Sequence, residues 1–294
     1  MIEVKNLRHA FGEKVVLDGI DLTVPENTIM GLVGINGAGK STLLRLLAGV
    51  YLPDHGTVAY DGASPELAQT RQNIFFLPDD PYFTTWMTPS ALFDYYTTFY
   101  PQIDREAYAA LLSQYEIDMK GKMRNFSKGM RRQVFIALAL AIKPRYLLLD
   151  EAFDGLDPLS RKIFKDAIIS FVENEHTTVI IASHSLRELE DFCDSFVLLD
   201  HNRIKHQGDI AQHVGSYCKF EMAFTQPVDA SAFHHLPVLA VTIRERFVQV
   251  VLEGDAEVMR GELEKLSPAV MDEMPLDFEE MFIHDVRKKK EDVQ

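Results

Sequence analysis

The sequence predicts an α/β fold: a mixed sheet flanked by helices, an antiparallel β layer beside it, an inserted helical subdomain and a small C-terminal α+β subdomain. Three observations predict it. Short runs of Val, Ile and Leu recur between stretches of helical periodicity, and apolar residues at successive positions suit strands covered on both faces. Strand signals stop between about residues 78 and 144, where helix-forming sequence takes over. Beyond about residue 215 they return in alternating form.

Along the chain, Glu3-Val4 and residues 15–24 and 57–60 are polar and alternating, which reads as the antiparallel layer. The apolar runs 29–33, 74–77, 146–149, 178–182 and 196–199 are the strands of the main sheet. Helical patterning at 90–100, 105–115 and 129–142 builds the insert. Residues 1–215 therefore form one unit and residues 216–294 an accessory one. The accessory unit has strands at 219–224, 238–243 and 247–252 and helical pattern from Asp255.

Hydrophobic residues make up 47% of the chain and charged residues 25%, the balance of a globular protein. The formal charge of −14 argues against binding along a nucleic-acid backbone, which draws on clustered Lys and Arg to displace counterions. The clearest basic run, residues 287–290, is short, is followed by acidic residues and reads as a solvated helix end. Cys193 and Cys218 form no CxxC pair, so neither a disulfide framework nor a thiolate metal site is expected, and a reduced cytosolic setting fits. The N-terminus shows no signal-peptide pattern, and the longest apolar run, 134–142, is roughly half a membrane span.

Gly34-Ile35-Asn36-Gly37-Ala38-Gly39-Lys40-Ser41 fits the P-loop pattern GxxxxGK[ST], directly after a strand and before the helical Thr42-Leu43-Leu44. Glycines let the backbone curl so that successive N–H groups converge on phosphate oxygens, and the helix that follows adds the positive end of its dipole. Lys40 reaches the β- and γ-phosphates in such a loop, and the Ser41 hydroxyl ligates Mg²⁺. A second acidic site is then required. Tyr146-Leu147-Leu148-Leu149-Asp150-Glu151 supplies it, an apolar strand ending in two carboxylates at the carboxyl edge of the sheet. Asp150 suits the metal, and Glu151 suits a general base on an attacking water.

Shortly before that strand stands Phe126-Ser127-Lys128-Gly129-Met130. With the two sites above, it resembles the nucleotide-binding cassette of ATP-binding cassette (ABC) transporters, P-loop NTPases marked by an LSGGQ signature. Ser127 and Gly129 match, while Lys128 and Met130 depart from Gly and Gln. A small hydroxyl residue and a glycine at a helix start present N–H donors to a γ-phosphate. In the family that phosphate belongs to the opposite subunit, so the resemblance implies two composite sites in a dimer.

The resemblance extends further. Gly155-Leu156-Asp157-Pro158 looks like the D-loop, His184 matches the switch histidine at γ-phosphate, and Phe11 matches the aromatic that stacks on adenine. It thus implies ATP contacts from Phe11, Gly34, Asn36, Gly37, Ala38, Gly39, Lys40, Ser41 and Thr42, and signature contacts from Ser127, Lys128, Gly129 and Met130. Catalysis is expected from Glu151 and His184. Mg²⁺ is expected on Ser41, Asp150 and Asp79, the last standing where the family usually has Gln.

The implied activity is ATP hydrolysis coupled to transport, by a subunit that pairs with a second ATP-binding subunit and with integral-membrane permease subunits. Such a subunit is cytoplasmic and peripheral at the inner face of the membrane, with no nucleic-acid partner. The Ser-Lys-Gly-Met signature, Asp79 and Leu276-Asp277-Phe278-Glu279-Glu280-Met281-Phe282 look like ABC-2 type exporters of Gram-positive bacteria linked to antibiotics and envelope stress. The rival is a soluble ABC ATPase with a regulatory, ribosomal or DNA-associated role, a type that usually carries two cassettes or coiled-coil insertions. Finally, Tyr82, Phe83, Trp86, Tyr95, Tyr96 and Phe99 crowd the insert. Most are expected in the core, the rest in a groove for a helix of the membrane subunit.

Overall fold

The computed structural model describes residues 1–281. They pack as two units, Met1–Gln207 and the chain from Gly208 onward. The first runs β1 (Ile2–Phe11), β2 (Lys14–Val24), β3 (Ile29–Val33), α1 (Lys40–Leu47), β4 (His55–Tyr60), α2 (Ala68–Arg71), β5 (Ile74–Leu77), α3 (Pro89–Tyr96) and α4 (Arg105–Gln114). It continues with α5 (Lys128–Ile142), β6 (Tyr146–Asp150), α6 (Pro158–Glu175), β7 (Thr178–Ala182), α7 (Leu186–Glu190), β8 (Ser195–Asp200) and β9 (Arg203–Asp209). The second holds α8 (Ile210–Gly215), β10 (Tyr217–Ala223), β11 (Val238–Arg244), β12 (Phe247–Glu253), α9 (Ala256–Glu264) and β13 (Val270–Met274).

The main sheet has the order β5-β6-β7-β3-β8-β9, and the neighbours from β5 to β8 are parallel. Every residue of β3, β6 and β7 is buried, which is why these strands read as unbroken apolar runs. Each fully buried Leu of β6 contributes about 1.5–3 kcal/mol relative to exposure. β9 was not foreseen from the sequence. It returns from β8 through His201 and Asn202, both at positive φ as in a primed hairpin turn, and forms the polar edge of the sheet.

The antiparallel layer has the order β2-β1-β4 and shares one core with the main sheet through Leu22, Leu43, Val58 and Leu148. Tyr60 and Tyr146 meet edge to face at 4.6 Å, and the Tyr60 hydroxyl donates to the Leu47 carbonyl, so β4, β6 and α1 are tied at one point. Between β5 and β6 the insert is helical, as expected. α3 starts behind Thr88 with Pro89 in its first turn, α4 behind Asp104 and α5 behind Ser127, each side chain accepting a free N–H of its helix. α3 ends at Tyr96, short of the expected residue 100, and Tyr100 instead donates its hydroxyl to the Ile74 carbonyl.

The units divide at Gln207/Gly208, ahead of residue 215, because α8 is capped by Asp209 and packs on β10. The second unit is an antiparallel sheet of order β11-β12-β10-β13 with its own core around Phe220, Val250, Leu252 and Leu263. β13 was also unforeseen, being a short, largely exposed edge strand rich in acidic residues. Phe282 and the basic run 287–290 lie outside the described residues.

Candidate functional site

β3 delivers the chain to Gly34, and the loop closes at Gly39, the residue that starts α1 with φ 106°. A side chain there has no room: a Cβ would lie 2.9 Å from Leu17 Cδ2 and 3.1 Å from the Val16 carbonyl. Lys40 follows, 6% exposed, and its Nζ donates to the Gly34 carbonyl at 2.6 Å while standing 3.9 Å from Glu151 Oε1. Burial lowers the pKa of this ammonium, and the charges of Glu151 and Asp150 pull it back up.

The opposite wall comes from the end of β6. Asp150 is 1% exposed and accepts a hydrogen bond from Ser41 Oγ at 3.1 Å. Burial raises its pKa, the Ser41 bond acts against that, and the Glu151 charge adds to the rise. Glu151 itself sits at φ 48°, an uncommon conformation for a residue with a Cβ and one that clusters at functional sites. Its N–H donates to the Ala182 carbonyl at the end of β7. Its Oε2 lies 2.9 Å from His184 Nδ1 and accepts the His184 N–H at 3.3 Å. That hydrogen bond, reinforced by the Glu151 charge, raises the His184 pKa.

These walls enclose a cleft of about 440 Å³ that Phe11, Asn36, Gly37, Thr42, Asp79 and Glu151 help to line. Phe11 is half exposed, held edge-on by His9 at 4.8 Å and Tyr51 at 5.6 Å, so it offers an apolar face to the cleft. Two of the expected contact residues make bonds within the loop. Gly34 reaches the site through its carbonyl, and Ala38 is buried with its N–H bonded to the Ile35 carbonyl.

The signature residues lie apart from this cleft's lining. Ser127 and Lys128 are exposed, Gly129 and Met130 half-buried, and Ser127 Oγ accepts the Met130 N–H at 3.1 Å. Gly129 is required by packing, since a Cβ there would lie 2.5 Å from the Gly155 carbonyl of the D-loop. Asp157 caps α6 and accepts a hydrogen bond from Ser160 Oγ, which in turn accepts one from Gln133 Nε2 of α5 at 2.6 Å. Asp79, expected on the metal, does line the cleft, but its Oδ1 lies 2.8 Å from Arg132 Nη2 and 3.6 Å from Lys128 Nζ.

Arg132 and Lys14 were missed by reading the sequence. Lys14 lines the cleft near Phe11, and Arg132 is 2% exposed. The only available signal for Arg132 was its place two residues before an apolar run, inside a helix where a buried charge needs a partner.

The chain matches the family described as ABC transporter over residues 17–154. It is 32% identical over 285 residues to the ABC transporter ATP-binding protein YtrB of Bacillus subtilis (strain 168), covering 96% of this chain and 97% of that protein. The chain belongs to the ABC transporter ATP-binding protein family. This ABC subunit is also 32% identical over 228 residues to Nod factor export ATP-binding protein I of Rhizobium sp. (strain N33), covering 73% of this chain and 74% of that one. A solved ATP-binding subunit of an ABC transporter superposes with a TM-score of 0.67 at 26% identity, over 72% of this chain and 91% of that one. It is therefore an ABC ATPase, an ATP-binding subunit of a transporter. Among the described residues no helix is long and apolar enough to cross a membrane.

Proposed function

We propose that this subunit powers an exporter of the ABC-2 type by closing face to face on a second ATP-binding subunit. Each nucleotide is then held between the Lys40 loop of one subunit and Ser127 and Gly129 of the other. The observation that carries this reading is the separation within one chain: the cleft has its own phosphate loop and base, while the signature turn is exposed and lines no part of it. Export is supported by the identity with a Nod factor export subunit.

Ser41 and Asp150 fit Mg²⁺, because two hard oxygen donors converge at 3.1 Å and the buried carboxylate, its pKa raised, gains most from a cation. Bound there, the ion would neutralise phosphate charge and polarise the γ-phosphate. The chain's own residues do the rest. Lys40 exchanges the Gly34 carbonyl for phosphate oxygens, the N–H groups of α1 face the same anion, and Phe11 stacks on the base. Glu151, oriented by His184, takes the proton of the attacking water.

The force leaves through the insert. The insert holds a hollow of about 340 Å³ lined by Phe75, Pro81, Tyr82, Met87 and Tyr95, and the sequence neighbour of Met87, Trp86, has an exposed ring stacked by Lys122 and Arg124. It would grip a helix of the permease and hold the subunit at the inner face of the membrane. Trp86→Ala is expected to reduce co-purification with the permease partner by about tenfold or more, the loss of a hot-spot residue, with ATP affinity unchanged. Equal recovery of wild type and variant would move the docking site elsewhere.

A further inference from the structure

Asp79 follows β5 at the wall of the nucleotide cleft, and what holds it comes from the signature helix. Arg132 Nη2 donates to Asp79 Oδ1 at 2.8 Å and to the Asp79 carbonyl at 2.7 Å, and Nη1 donates to the Pro78 carbonyl at 2.9 Å. Lys128, four residues earlier and so on the same face of α5, stands 3.6 Å from the same carboxylate oxygen. The Arg132 side chain is 1% exposed, so the Asp79 carboxylate is the charge that makes its burial tolerable. The next residue, Gln133, bonds Ser160 and through it Asp157 of the D-loop.

We propose that Asp79 is a positioning residue acting through Arg132, a strut that ties the wall of the nucleotide cleft to the N-terminal two turns of α5, and that it does not ligate the cation. The first two turns of the helix then carry three connections. Its tip presents Ser127 and Gly129, one side holds the cleft wall, and the other holds the D-loop. A helix turn moves as a unit, so a displacement of Asp79 by an incoming phosphate is passed to the residues that face the second subunit. The meaning of that motion rests on the composite-site reading above; the strut itself does not.

The test compares wild type, Asp79→Asn, Arg132→Lys and the double variant. In the nucleotide-free chain, amide hydrogen exchange over residues 127–133 is expected to quicken roughly tenfold in Asp79→Asn, as a charged hydrogen bond is lost. The double variant is expected to match Arg132→Lys alone, because both substitutions cut one link. In the assembled transporter, kcat falls about tenfold in Asp79→Asn while the ATP Kd and the Mg²⁺ concentration for half-saturation stay within about twofold of wild type. Unchanged exchange together with a tenfold higher Mg²⁺ requirement in Asp79→Asn would overturn the proposal and make Asp79 a ligand. Additive effects in the double variant would overturn it too. If ATP fails to dimerise even the wild type, the composite-site reading falls, and the exchange experiment still decides the strut.

Discussion

The nucleotide cleft and the signature turn belong to one unit but are finished to different degrees. In the cleft Lys40, Asp150 and Glu151 each already have a partner from their own chain: the Gly34 carbonyl, the Ser41 hydroxyl and the His184 ring. At the signature turn, Ser127 and Lys128 face solvent at the start of a helix that is buried from Arg132 onward. The difference teaches where self-sufficiency ends. One chain holds a phosphate loop and a base of its own, and in the function proposed above the outward turn completes the site of a second subunit.

The largest expected effect breaks the cleft without touching the turn. Glu151→Gln lowers turnover by about 10² to 10⁴-fold, the usual worth of a positioned general base, while ATP binding persists and the closed dimer accumulates. Steady-state ATPase assays and size-exclusion chromatography check both, and unchanged hydrolysis would remove Glu151 from its role. Next, Lys40→Ala weakens ATP binding by about 10 to 100-fold, the loss of a charged hydrogen bond to phosphate. Equilibrium titration with a fluorescent nucleotide measures it.

The smallest effect concerns pH. Pairing with Glu151 raises the His184 pKa, so its contribution to stability is fully present below the unfolded histidine value of about 6.5 and is lost as pH rises through the higher folded value. The stability gap between wild type and Glu151→Gln should therefore narrow as pH is raised above neutrality, and the NMR titration of His184 should shift to lower pH in the variant. The side chain is 55% exposed, so the gap is small.

The buried strands were legible because burial on both faces leaves no choice of residue: Ile29–Val33, Ile74–Leu77 and Thr178–Ala182 were read with the ends they have. The edges were not. β9 and β13 each have a solvated side, carry Arg, His, Asp and Glu, and show no apolar run. The site divided the same way. Asp150 and Glu151 stand at the end of β6, and Lys40 and Ser41 follow β3 across one short loop, so motif spacing alone was enough to single them out. The Asp79–Arg132 pair joins residues 53 apart, and only the packing of α5 beside β5 brings them together.

One mixing experiment tests the central claim most directly. Lys40→Ala destroys the phosphate loop and spares the signature, whereas Ser127→Glu places a carboxylate at an exposed signature turn and spares the loop. Each variant alone is expected to be inactive in ATPase assays. Mixed, they form heterodimers in which one site takes its loop from the Ser127→Glu chain and its signature from the Lys40→Ala chain, and activity returns. A mixture as inactive as its components would contradict the account, because the two halves of the site would then have to come from one chain.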